Sequence, residues 1–216
     1  MIELKNINKS YKDLHVLKNI NLKVQKNQII AIEGSSGAGK TTLLKIIGKL
    51  EKPDSGEIIF QNKNITTLNT SELQIFRNNN IGFIFQFHHL MPEFTALENI
   101  CIPAFLKKKN KLETEKKALQ LMEFLKIVKQ KNSFPEYMSG GEKQRVAIAR
   151  ALINSPDVIL ADEPSGNLDT IQSMEIYNLF NSLRKEFNQT FIIVTHDKEL
   201  SKLTDKTIIL KDGKIV

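Results

Sequence analysis

Gly34, Ser35, Ser36, Gly37, Ala38, Gly39, Lys40 and Thr41 stand in the spacing G-x-x-x-x-G-K-T. Glycines at these points let backbone N–H groups turn inward around phosphate oxygens. The apolar run Gln28–Glu33 before them reads as a strand, and the helical spacing of Lys40–Leu50 reads as a helix opening on the loop. A helix N-terminus adds a dipole that favours an anion. Lys40 is then expected on the outer phosphates of a nucleoside triphosphate, Thr41 on Mg²⁺, and Thr42 in the same turn. A second candidate follows at the end of the apolar run Val158–Ala161, where Asp162 and Glu163 place two carboxylates side by side. Asp162 suits a divalent cation. Glu163, one residue on, suits the general base that activates an attacking water, a role worth about 10²–10⁴-fold in rate.

These groups need a scaffold that converges on one place. Ile2–Ile7 and Ile20–Val24 read as strands of an N-terminal sheet, and Pro53–Gly56 as a turn before the strand Glu57–Phe60. Ser71–Arg77 reads as a short helix and Ile81–Phe85 as a buried strand. From Thr95 to Leu152 strand signals are few, and Leu119, Met122, Leu125 and Val128 recur at helical spacing. Strand signals return at Val158–Ala161, Phe191–Val194 and Thr207–Leu210, with a helix near Ile171–Phe187. Alternating strands and helices predict an α/β fold with a largely parallel core sheet, interrupted by a helical lobe.

Met138-Ser139-Gly140-Gly141-Glu142 precedes the helical run Val146–Leu152. Ser139, Gly140 and Gly141 form a second helix start suited to phosphate. With this segment the chain resembles the ATP-binding-cassette ATPases, with Met138 where Leu is usual. The resemblance covers the whole chain. It implies a P-loop NTPase fold: a RecA-like parallel-sheet core at about 1–88 and 156–216, an N-terminal antiparallel β lobe, and an inserted helical subdomain at about 89–155. It also implies ATP and Mg²⁺ as ligands. On this resemblance Gln86 touches Mg²⁺ and the attacking water, and His196 hydrogen-bonds the γ-phosphate. Tyr11 stacks on adenine, and Ser165-Gly166-Asn167-Leu168-Asp169 crosses a dimer interface. Ser139, Gly140 and Gly141 complete the pocket of a second copy of the chain.

The stretch from Ile81 to Ile100, with Phe87-His88-His89-Leu90-Met91-Pro92, resembles the ATPases of lipoprotein-releasing transporters. Integral membrane permease subunits are the implied partners, met at a groove near Phe87–Phe94. Ala161–Asp169 is shared with the wider group that includes FtsEX-type cell-division ATPases and MacB-type exporters, which remain alternatives. His88 and His89 are two adjacent histidines without further ligands, a poor metal site.

Composition bounds these readings. The chain has 216 residues, enough for one cassette and too few for two. No stretch approaches the roughly 18 apolar residues of a membrane span, so no direct membrane insertion is expected. The start lacks the apolar segment of a secretory signal. A single cysteine, Cys101, fits a reducing compartment and excludes an intrachain disulfide. The net charge of +7 invites a nucleic-acid or anionic-membrane partner. With 27 Lys, 4 Arg, 27 Ile and 19 Asn, it equally fits the composition of an AT-rich coding sequence. A non-transport ATPase acting on nucleic acid is the remaining alternative, although the chain has neither a heptad insert nor a cysteine cluster. Direct nucleic-acid binding is not expected.

Overall fold

The computed structural model describes residues 1–166, 170–197 and 201–216. Two sheets organise it. β1 (Ile2–Tyr11) and β2 (Leu14–Val24) form an antiparallel hairpin that turns at Lys12 and Asp13, with Lys12 at φ 51°. Both strands run beyond the apolar stretches that announce them. Their distal halves carry Lys9, Ser10, Tyr11 and His15 because that end of the hairpin lies at the surface. β4 (Ser55–Phe60) pairs with the other side of β1, and the short β5 (Lys63–Asn64) completes the antiparallel order β2-β1-β4-β5.

The second sheet contains β3 (Ile29–Glu33), β6 (Ile81–Ile84), β7 (Val158–Asp162), β8 (Thr190–Val194), β9 (Lys206–Lys211) and β10 (Lys214–Ile215). Their order is β10-β9-β3-β8-β7-β6, parallel from β9 to β6, with β10 folded back antiparallel at one edge. β3, β7 and β8 are apolar at nearly every position because both faces are covered. Side chains alternate between two cores, as the period of a strand requires. Ile29, Ile159, Ala161, Phe191 and Ile193 enter one core. Ile30, Ile32, Val158, Leu160, Ile192 and Val194 enter the other. Each fully buried side chain of this kind contributes about 1.5–3 kcal/mol.

On the second face lies α1 (Lys40–Ile47), with the antiparallel sheet beyond it. α1 stops before the expected Leu50. Gly48 caps it, Lys49 turns to φ 56°, and the Leu50 N–H returns to the Lys45 carbonyl at 2.8 Å. Gly48 also admits Phe83, whose ring would lie 2.0 Å from an added Cβ. α2 (Thr70–Asn80) leads into β6, starting from the capping box of Asn69 and Glu72.

The first face carries α3 (Ala96–Phe105), α4 (Lys111–Phe124), α5 (Gly140–Leu152) and α6 (Thr170–Phe187), with α3 packed on α4 and α5. Ala118, Leu121, Met122 and Leu125 are buried there, whereas Leu119 and Val128 are partly exposed. The buried stripe of α4 is therefore shifted from the one the sequence spacing marks, and Val128 lies in a separate 3-10 turn, Val128–Gln130. Buried Asn99 on α3 ties down the preceding loop. Its amide donates to the carbonyls of Met91, Phe94 and Thr95 and accepts from the Met91 N–H. Among the described residues no helix is long and apolar enough to cross a membrane.

Candidate active site

The chemistry-bearing residues gather at the C-terminal ends of four adjacent parallel strands. β3 leads to residues 34–39, β8 to His196, β7 to Asp162 and Glu163, and β6 to Gln86. This edge is where open α/β sheets bind ligands, because successive strand ends present loops on one side.

The phosphate loop closes on Gly39, the N-cap of α1, at φ 98°. An added Cβ there would lie 2.9 Å from Leu17 Cδ2 and 3.0 Å from the Val16 carbonyl oxygen, so glycine is required twice over. Gly37, at φ 79°, has open space around it. α1 has no side-chain cap and no acidic residue in its first turn, so its free N–H groups are left to an anion. The Lys40 ammonium folds back over the loop and donates to the carbonyls of Gly34 at 2.8 Å and Ser35 at 3.1 Å.

Thr41, one residue into the helix, reaches across to β7. Its hydroxyl donates to Asp162 Oδ1 at 3.2 Å. Burial pushes the Asp162 carboxyl above the usual carboxylate range, and the neighbouring Glu163 charge adds to this; the Thr41 hydrogen bond works in the opposite direction. A hydroxyl and a carboxylate this close, with negative charge short of compensation, form a hard oxygen donor set that suits a divalent cation.

Glu163 takes a left-handed backbone conformation at φ 46°. Its N–H donates to the Val194 carbonyl at 2.9 Å and its carbonyl accepts from the Gly166 N–H at 3.0 Å. The turn aims the carboxylate at His196, with Oε2 2.7 Å from Nδ1. The Glu163 side chain is 16% exposed and that of His196 72%. Gln86 adjoins the same turn: a Cβ added to Gly166 would lie 2.8 Å from its Nε2. Ser165 bonds the buried Tyr177 hydroxyl at 2.7 Å. Asn167, Leu168 and Asp169 lie outside the described residues.

Tyr11 approaches from the other sheet. Its hydroxyl donates to the Glu51 carboxylate, just beyond the C-terminal end of α1. Burial raises the Tyr11 hydroxyl above its ordinary range, and Glu51 reinforces the shift.

The Ser139, Gly140 and Gly141 turn makes its contacts elsewhere. Ser139 caps α5 in a capping box with Glu142, whose backbone N–H lies 3.3 Å from Ser139 Oγ. Glu142 in turn accepts from Gln130 at 2.5 Å. Gly140 is exposed, and a Cβ on Gly141 would meet only Gln172, at 3.7 Å. Met138 is buried in the helical core, where its apolar bulk is accommodated.

Three participants were not legible in the motifs. Arg150, on α5, donates to the backbone carbonyls of His89 at 2.6 Å and His88 at 2.5 Å. Both histidines are left-handed, at φ 60° for His88 and 47° for His89. Arg150 thus fastens the turn after Gln86 to the helix that begins at Ser139. Lys9 and Glu51 surround Tyr11. Their signal in the sequence is only a Lys two residues before the aromatic and a Glu after α1. A groove of about 1080 Å³ opens beside this turn, lined by Ile75, Phe83, Phe85, His89, Leu106 and Arg150 among others. Of the expected segment Phe87–Phe94, His89 lines it.

Comparison with known proteins matches the geometry. Residues 17–166 fit the family pattern described as ABC transporter. The lipoprotein-releasing system ATP-binding protein LolD of Bacteroides fragilis (strain YCH46) is 51% identical over 216 residues, covering 100% of both chains. LolD of Cytophaga hutchinsonii is 49% identical, over 96% of this chain and 95% of its own. Among solved structures, the dimeric form of MJ0796, described as a bacterial ABC transporter cassette, superposes with a TM-score of 0.92 at 40% identity, over 100% of this chain and 96% of that one. A post-hydrolysis state of the same cassette bound to ADP and Pi gives 0.92 at 39%, with the same coverage.

Proposed function

This chain belongs to the ABC transporter family of ATPases, and from that premise we propose that it is the ATP-hydrolysing subunit of a lipoprotein-releasing transporter. The observation that carries the reading is the end-to-end match with LolD proteins at about half identity. Two copies act together at the cytoplasmic face of the inner membrane, bound to integral permease subunits that handle the lipoprotein. ATP is the substrate, and the chain itself is peripheral.

The residues divide the work. The amides of residues 34–39 and the Lys40 ammonium neutralise the triphosphate; Lys40 exchanges its two carbonyl partners for phosphate oxygens. Thr41 and Asp162, with Gln86, would hold Mg²⁺, which when bound neutralises phosphate charge. Glu163 accepts the proton of the attacking water, and His196 orients the carboxylate that does so. Tyr11 stacks on the base. Ser139, Gly140 and Gly141 of the second copy add donors on closure, so that closing completes the site. We assign residues 1–88 and 156–216 to the core and 89–155 to a helical subdomain. The groove beside Arg150 receives the permease subunit, and the +7 charge needs no nucleic-acid partner.

The test is capture of partners by tagged Glu163→Gln from membranes solubilised with Mg·ATP. Two related membrane subunits with large periplasmic domains are expected by mass spectrometry. A single division-type membrane protein, an exporter subunit, or only soluble factors would overturn lipoprotein release while leaving the ATPase intact.

A further inference from the structure

One face of the Tyr11 ring is already taken. The Lys9 ammonium lies 5.4 Å from the ring centroid. Three partners hold it there: the Glu51 carboxylate at 3.3 Å, the Asp54 carboxylate at 3.2 Å and the Lys52 carbonyl at 2.9 Å. The Lys9 side chain is only 14% exposed, so this is a settled position rather than a surface encounter. Glu51 serves twice, since the same carboxylate oxygen accepts from the Tyr11 hydroxyl. The ring is thus pinned at its tip and covered on one side, yet Tyr11 as a whole remains 45% exposed.

We propose that Lys9 is a positioning residue for the nucleotide base: it closes one face of Tyr11 and, through Glu51, fixes the ring so that a single face is open to a purine. This rests on Tyr11 being the stacking residue. Pre-setting the ring lowers the ordering cost of binding, and the cation over its far face holds it by electrostatic attraction to the π system. Because the hydroxyl proton is committed to Glu51, the ring contributes its π face and no donated hydrogen bond to the base. Lys9 therefore favours ATP and GTP alike.

Steady-state ATPase kinetics on the full chain test this, with tripolyphosphate as a base-free competitor. Lys9→Met keeps the aliphatic stem and removes the cation. It is expected to raise KM for ATP and GTP about two- to fivefold with kcat within about twofold, the range a cation–π contact to a part-exposed ring supports. The inhibition constant of tripolyphosphate should stay unchanged, and Lys9→Arg should restore KM. Glu51→Gln should shift KM in the same direction. Unchanged KM in Lys9→Met, while Tyr11→Ala raises it, would overturn the role of Lys9 alone. Parallel weakening of tripolyphosphate would show that Lys9 supports the phosphate loop instead, and would also overturn it. Unchanged KM in Tyr11→Ala would remove the stacking reading, and this proposal with it. If neither Lys9→Met nor Glu51→Gln folds, the network is architectural and the proposal fails.

Discussion

Glu163 and His196, 33 residues apart in the chain, meet with Oε2 2.7 Å from Nδ1 at the ends of neighbouring strands. Register alone does not make the pairing: Asp162 on β7 lies opposite Val194 on β8, so Glu163 falls level with Thr195, one residue short of His196. Glu163 reaches His196 only by adopting φ 46°, a conformation that costs of order 1–3 kcal/mol outside glycine. The bonds to Val194 and Gly166 hold it there.

Glu163→Gln keeps the size of the side chain and removes the carboxylate proposed as the base. Phosphate release should fall by about 10²–10⁴-fold, while binding of a fluorescent ATP analogue changes little, because the phosphate loop is untouched. Turnover at the wild-type rate would remove Glu163 from the reaction.

Asp162 carries a pH signature. Its folded carboxyl titrates above the ordinary value of 3.8, chiefly because it is buried. A raised carboxyl contributes stability fully present below the unfolded value and lost as pH rises through the folded one. At neutral pH the charge therefore opposes folding. Asp162→Asn should raise the melting temperature at pH 7, and the gain should shrink towards pH 4. The same variant should hydrolyse ATP poorly, since it loses the carboxylate beside Thr41. A melting temperature equal to or below wild type at pH 7 would contradict the assignment.

Gly37 and Gly39 are both left-handed, but only one is crowded. Gly37→Ala pays backbone strain alone, about 1 kcal/mol, and should leave a folded chain with weakened ATP binding. Gly39→Ala adds contact with Leu17 and Val16, so the hairpin or the loop must shift. Its unfolding midpoint in urea should fall clearly further. Equal losses in the two variants would show that the crowding at Gly39 relaxes freely.

Arg150 holds two backbone carbonyls, those of His89 and His88. Arg150→Met should cost about 1.5–3 kcal/mol, the range for a charged hydrogen bond. Hydrogen exchange should speed up at residues 86–90 while α1 keeps its protection. Arg150→Lys, a point charge without the two-pronged fork, should fall between the two. Uniform acceleration across the core would mean that Arg150 supports global stability rather than this turn.

Much of the molecule was legible in its residues. The apolar runs at Gln28–Glu33, Val158–Ala161 and Phe191–Val194 read as strands, and their alternation with helices as a largely parallel sheet; the structure has these strands at Ile29–Glu33, Val158–Asp162 and Thr190–Val194, apolar nearly throughout because both faces are covered. Gly34–Thr41 read as a glycine turn opening a helix because its pattern is local, and the structure has α1 starting at Lys40 behind left-handed Gly37 and Gly39. Less was legible where the structure serves exposed backbone. The outer half of the β1–β2 hairpin reads as polar loop, and the stripe of Leu119 and Val128 misplaces the buried face of α4, because packing against α3 and α5 decides which side turns inward.

What the tertiary structure alone decided is which distant groups meet. Thr41 with Asp162, Glu163 with His196, Lys9 with Tyr11 and Glu51, and Arg150 with the turn at His88 and His89 all join separate elements. Sequence spacing determines local conformation, since helix and strand periods act over a few residues. It does not determine the order and register in which strands from distant segments are laid side by side, and here that order brings β3, β8, β7 and β6 to one edge.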